Sequence, residues 1–398
     1  MIAILMLARP GIATSQTTVV DGQVLNSQIQ LSDIFASVTL QVVTADQGVS
    51  AEATATSNSI SATQVDASMN LASTQQTSGK VTAQTDLVAD NGTGPLLDAK
   101  SSAVANTTTA GASGGTMSDN SQQTIDLGAD ISASTAVNTT SGDTTTVNMT
   151  AAALGNSQGW SASTGALTAT TTQQTSSSLH SSAQAVVCCS STSTTAQATS
   201  VANNVTGDNT NATSYLQIAQ TRDQGVTDST ALVQQPDGVN INASANATGN
   251  NVNVAGTGGW NTVDVTQTNN IGATTTATGT LGSWTGDAGV TAYSMANSTY
   301  VANDSSAILL TGAQVNTGGV SSHGNLTSAG TGAGSVSSIS VGNSSTAIAC
   351  GACGSGVGAT VAQTNSGSIL AATNISGQIG RIAGSASAVG NSVTITSH

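Results

Sequence analysis

Ala243-Ser244-Ala245-Asn246-Ala247-Thr248-Gly249-Asn250-Asn251-Val252-Asn253-Val254 decides the fold. Small residues alternate up to a Gly-Asn step, and an alternating Val strand follows it. The phrase recurs around Asn58, Asn106, Asn156, Asn204, Asn251, Asn297, Asn343 and Asn391, in steps of 48, 50, 48, 47, 46, 46 and 48 residues. A second phrase, Gln usually followed by Thr, recurs at Gln28, Gln76, Gln123, Gln174, Gln220, Gln267, Gln314 and Gln363, in steps of 48, 47, 51, 46, 47, 47 and 49. Two residue types keep step with one period. A fixed period of this length marks a stacked-repeat architecture in which each repeat buries its face against the next. The chain therefore reads as all-β, an elongated β-solenoid (β-helix) of about eight repeats of roughly 48 residues.

Composition agrees with a thin core. Charged residues make up 6% and aromatics 2% of the 398 residues, against about 25% charged in ordinary globular proteins. Ala, Val, Ser, Thr, Gly and Asn replace the usual large core residues, and they fit between walls whose coils stack about 4.8 Å apart. Disorder is the competing reading, but disordered chains combine low hydrophobicity with dense charge. Here mean hydropathy is slightly positive and the apolar residues alternate in register. A net charge of -14 with five Lys and Arg argues against nucleic acid as a partner.

Residues 1–15 read as a secretory signal. Ile2 to Leu7 is a short apolar run, and Ala13-Thr14-Ser15 places small residues at a cleavage site. A basic n-region is missing, so the true start is expected upstream; a short buried strand is the alternative. Residues 16–398 form a single solenoid domain. Period-two strands such as Leu216–Gln220 and Val263–Gln267 lead into the Gln anchor, and turns such as Pro236-Asp237-Gly238 separate them from the Asn strand. About four short strands are expected per repeat, as one broad coil or two narrow ones. Asn should stack on Asn and Gln on Gln in amide ladders, since each amide supplies two donors and an acceptor. The two ends do not match in these phrases, which suggests end-on self-association or partner docking by strand addition.

The remaining candidates are few. Cys188-Cys189 and Cys350-Gly351-Ala352-Cys353 are two close pairs, separated by more than three repeats. Local disulfides fit better than a shared zinc site, with Cys350 to Cys353 the stronger expectation. No Gly-Gly-x-Gly-x-Asp calcium pattern is present, and His180, His323 and His398 share no repeat position. Trp160, Trp260, Trp284, Tyr215, Tyr293 and Tyr300 offer sugar-stacking rings but form no regular ladder, which favours ordinary partial burial. No catalytic residue, metal site or cofactor is assigned.

The ladders, the small-residue alternation and the leader resemble curlin-type repeat proteins, although curlin repeats are about half as long and set Gln and Asn closer together. The chain is more similar to the holdfast anchor protein D family (HfaD), on the segment Gln16-Thr17-Thr18-Val19-Val20-Asp21-Gly22-Gln23-Val24-Leu25-Asn26 and on the repeated Ala-x-Gly-Asn phrase. That resemblance implies a non-enzymatic, exported, outer-membrane-associated surface protein. It would help attach the holdfast polysaccharide to the cell pole with sister anchor proteins, one of them a lipoprotein resembling the curli secretion channel. A self-polymerising curlin-like fibre subunit is the alternative.

Overall fold

The structure, a computed structural model, describes residues 7–8, 13–17, 22–45, 47–90, 94–350 and 356–397. Their 23 strands form one continuous sheet, and no helix occurs among them. One coil shows the plan. Strand β5 (Val49–Val65) is followed by β6 (Met69–Thr77) and β7 (Val81–Ala89). The next coil repeats the three sides as β8 (Leu96–Ser113), β9 (Thr116–Ile125) and β10 (Asp130–Thr139). Each strand pairs in parallel with its equivalent one coil later, β5 with β8, β6 with β9 and β7 with β10. Further along, sides run together without a break, as in β11 (Thr144–Thr175), β13 (Ser191–Arg222) and β14 (Thr227–Thr257). Asn58 pairs with Asn106 at one end and Asn343 with Asn391 at the other, so one repeat makes one broad coil.

Three sides per coil, where four short strands are expected, result from a kink. In β5 the inward residues alternate through Ala51, Ala53 and Ala55, and then Ser57 and Asn58 are both buried before alternation resumes at Ile60. Two successive inward residues mean that the strand turns a corner without breaking, giving two arms. The first arm packs on the β7 side, joining Ala53, Val81, Ala83, Leu97 and Ile131 in one core; the second packs on the β6 side, joining Ile60's neighbour Ala62 with Leu71, Met117 and Leu167. Small inward side chains bring the walls close enough for interior hydroxyls to bridge them. Thr85 Oγ1 donates to Lys100 O at 2.6 Å, Ser101 Oγ to Ser134 O at 2.6 Å and Ser200 Oγ to Asp228 O at 2.7 Å. Each bridge satisfies a hydroxyl that would otherwise be costly to bury.

The corner after the second arm is left-handed in successive coils. Asp66, Gly114, Thr164, Asn211 and Gly258 occupy it with φ of 54°, 71°, 59°, 53° and 71°. Gly, Asn and Asp tolerate that backbone, whereas a β-branched Thr is strained by it. Near the start, Leu7–Ala8 pairs antiparallel with Ser37 and Ala36, and Ala13–Thr17 adds parallel to Asn58–Ala62. Most of the expected signal lies outside the described residues.

Candidate functional surface

The kink positions the Asn side chain, and the β6 side positions the Gln. Asn58, Asn106, Asn156, Asn203, Asn250, Asn297, Asn343 and Asn391 stack, each Nδ2 donating to the next Oδ1 at 2.8–2.9 Å. Gln28, Gln75, Gln123, Gln173, Gln220, Gln267, Gln314 and Gln363 stack as well, each later Nε2 donating back to the preceding Oε1 at 2.7–3.1 Å. The ladders also bridge the walls. Asn250 Nδ2 donates to Thr268 O at 3.0 Å, and Gln220 Nε2 to Asn251 O at 2.9 Å. Four expected anchors are corrected by one residue: Asn203 and Asn250 replace Asn204 and Asn251, and Gln75 and Gln173 replace Gln76 and Gln174. Asn204 and Asn251 instead bond to each other, Nδ2 of Asn251 to Oδ1 of Asn204 at 2.8 Å, on the opposite face of the strand.

A second, shorter Asn ladder was not legible from the repeats. Asn269 Nδ2 donates to Asn316 Oδ1 at 2.9 Å and Asn316 Nδ2 to Asn365 Oδ1 at 2.7 Å. The signal for it is the Gln-x-Asn spacing in Gln267-Thr268-Asn269, Gln314-Val315-Asn316 and Gln363-Thr364-Asn365. Arg222 pairs with Asn269 one coil earlier and is fully buried. Burial pushes its guanidinium down to about 9, its Nη1 lies 3.5 Å from Ser177 O, and Nε and Nη2 have no protein partner, nor has Asn269 Oδ1. Asp119 is the other buried ionisable group of note. Burial raises its pKa to about 6, against hydrogen bonds from Ser121 Oγ and Trp160 Nε1, both at 2.6 Å; Gln158 Nε2 also donates to it at 2.8 Å.

The reactive candidates disperse. Cys188 and Cys189 form a disulfide with each other. Of the pair Cys350 and Cys353, Cys353 lies outside the described residues. His180 pairs with Asp228 one coil on, its Nδ1 hydrogen-bonded to Asp228 Oδ1 and its Nε2 3.7 Å from Asp130 Oδ1; the Asp228 bond raises the imidazole pKa. No group of three or more His, Cys, Asp and Glu suited to a metal ion occurs among the described residues. His398 lies outside them.

Among the aromatic rings, Tyr293 is half-buried and Phe35 is exposed. Trp160 and Trp284 are buried, whereas Trp260, Tyr215 and Tyr300 are exposed. Trp260 immediately precedes β15 (Asn261–Asn269), and its carbonyl accepts from Ser214 N at 2.8 Å. Tyr215 pairs with Thr262, which pairs in turn with Leu309 of β18 (Ile308–Asn316). Trp260 is therefore offset by two residues and one coil from both Tyr215 and Leu309, a Cα separation of about 8 Å that large side chains span. Exposures of 52% for Trp260, 44% for Tyr215 and 44% for Leu309 leave all three on the outside. Gln217 Nε2 donates to Tyr215 OH at 2.9 Å and lines an adjoining shallow cavity of about 140 Å³ with Thr170, Thr172, Asp264 and Thr266. Two larger open grooves, of about 710 and 900 Å³, hold no aromatic ring; Ile241 and Ile382 join small and polar residues in one, Met69 and Met117 in the other.

Fold and surface define a parallel β-solenoid with an uncommonly uncharged body and one aromatic patch. The chain belongs to the family described as Holdfast attachment protein D, whose profile matches residues 43–319, more than half of the chain. The match begins after Gln16–Asn26 and so rests on the repeats. No curated protein and no solved structure gives a significant match. Membership ties the chain to the holdfast system and suggests a cell-surface location and a structural role.

Proposed function

We propose that this protein is a non-enzymatic, exported anchor that helps hold the holdfast polysaccharide on the outer membrane at the cell pole. Sister anchor proteins, including a lipoprotein resembling the curli secretion channel, would be its partners there. The family match over residues 43–319 carries this reading. The elongated, weakly charged solenoid supports it, because such a body can reach outward from a surface while presenting repeated polar faces. Deleting the gene in the native host and imaging a labelled lectin against the adhesive, on cells and in spent medium, tests it. Adhesive that is made but shed supports an anchor; adhesive that stays on the cell overturns the reading.

A second reading, the self-polymerising curlin-like fibre subunit, draws on the in-register amide ladders, an arrangement that cross-β fibres share. Its end-on association would extend the ladders from one copy into the next. Purified protein would then form thioflavin-positive fibres, and removing residues 391–398 would slow their growth.

A further inference from the structure

We infer that the Tyr215–Trp260–Leu309 patch is a carbohydrate-binding subsite for a polysaccharide of uncharged hexose units. The inference rests on the proposal that the partner is a surface polysaccharide and locates its contact on this chain. Aromatic residues are 2% of the sequence, and two of the three tryptophans are buried. Trp260 is thus the one exposed indole, and it stands beside exposed Tyr215 and Leu309 and next to a cavity lined by Thr, Gln and Asp side chains.

A pyranose ring has an apolar face of C–H groups and a polar rim of hydroxyls. It is recognised by a flat aromatic surface beside fixed donors and acceptors. Trp260 and Tyr215 supply the surface, and Leu309 extends its apolar edge. Gln217 fixes the Tyr215 hydroxyl through their 2.9 Å bond and shares the adjoining cavity with Asp264 and the Thr170, Thr172 and Thr266 side chains. Amide, carboxylate and hydroxyl groups can all hydrogen-bond a sugar rim. They lie on the same outer face as Tyr215, since Gln217 follows it by two residues and pairs with Asp264 in the next coil.

Charge selects among polymers. Asp264 stands in the cavity, and the whole chain carries -14, so a polymer of acidic sugars would meet repulsion along its length. Sugars without carboxylates meet none. Successive coils rise by about 4.8 Å, roughly the length of one hexose unit, so a chain laid along the body crosses Tyr215, Trp260 and Leu309 within two or three sugars.

The test uses the full-length protein with three probes, cellohexaose, chitohexaose and hexagalacturonate, followed by intrinsic tryptophan fluorescence and titration calorimetry. At least one of the two uncharged probes should bind and shift the emission of Trp260, the exposed indole, while hexagalacturonate should not. Trp260→Ala should weaken binding about tenfold or more, Tyr215→Ala about three- to tenfold, and Tyr300→Ala, an exposed ring elsewhere, less than about twofold. Trp260→Phe should retain part of the affinity. Binding unaffected by Trp260→Ala, preference for hexagalacturonate, or no binding of any probe by folded protein would overturn the inference. These results leave the anchor reading standing. Conversely, a gene deletion that sheds no adhesive would remove the anchor reading while the titrations still judged the patch.

Discussion

Asn250 and Gln267 face each other across one coil and pass their hydrogen bonds in opposite directions along the body. Asn250 Nδ2 donates forward to Asn297 Oδ1 and Gln267 Nε2 donates backward to Gln220 Oε1, both at 2.8 Å. The two rows of side-chain dipoles therefore oppose each other, while the shorter Asn269–Asn316–Asn365 row runs forward with Asn250. Parallel orientation of both rows would accumulate like partial charges at each end.

The ladder register predicts a contrast between adjacent asparagines. Asn250→Ala removes donors to Asn297 Oδ1 and Thr268 O inside the wall, and it should destabilise by about 2–4 kcal/mol, since buried groups left unpaired cost about 1–3 kcal/mol each. Asn251→Ala removes one bond on the partly exposed face and should cost under about 1 kcal/mol. Urea midpoints of the two variants decide between this register and its neighbour.

Arg222→Asn should stabilise the protein. An Asn there can donate to Asn269 Oδ1, which lacks a partner, and continue the row through Asn316 and Asn365, while a fully buried guanidinium is removed. A gain of about 1–3 kcal/mol is expected from pairing the acceptor and removing the buried charge. A thermal midpoint that falls would show that the arginine is satisfied in solution.

Asp119 gives the fold a pH dependence of defined sign. Its folded pKa of about 6 lies above the ordinary carboxyl value, so the folded state holds the proton more tightly than the unfolded chain does. The favourable contribution is complete below the unfolded pKa near 3.8 and is lost as pH rises through 6. The difference amounts to about 3 kcal/mol between those limits. Asp119→Asn retains an acceptor for Trp160 and Gln158, and Ser121 can rotate to accept from the new amide. The variant should be more stable than the native protein at pH 7.5 and should lose that advantage toward pH 4, as read from unfolding curves across the range.

Thr164 occupies the left-handed corner that Gly114 and Gly258 fill in other coils, with φ of 59°. A left-handed residue other than Gly costs about 1–2 kcal/mol, and the added freedom of Gly in the unfolded chain offsets about 0.5–1 kcal/mol. Thr164→Gly should therefore stabilise by about 0.5–1 kcal/mol. The same substitution at Thr168, an ordinary strand position, should destabilise, and paired melting curves compare them.

The solenoid was legible because its period repeats in two residue types, and Asn58, Asn106, Gln220 and Gln267 were found at their stacked positions. The misplacements fall at doublets, Asn203-Asn204, Asn250-Asn251, Gln75-Gln76 and Gln173-Gln174. Neighbours in a strand point to opposite faces, so a doublet offers both answers. Applying the Ala-Asn or Gly-Asn step strictly selects Asn203 after Ala202 and Asn250 after Gly249, because the kink demands a small residue before the stacked amide. The aromatic patch was illegible for a different reason. Tyr215, Trp260 and Leu309 come from three coils, and only the register of the coils brings them together.

The parallel pairing between coils also fixes how the body bears load. Backbone hydrogen bonds between successive coils run along its long axis. A pull along that axis loads all three sides of a coil boundary together, so no single strand can peel before its neighbours. A tug at the wall around Trp260 enters at mid-length and spreads to coils above and below. The body therefore resists best when it is pulled lengthwise.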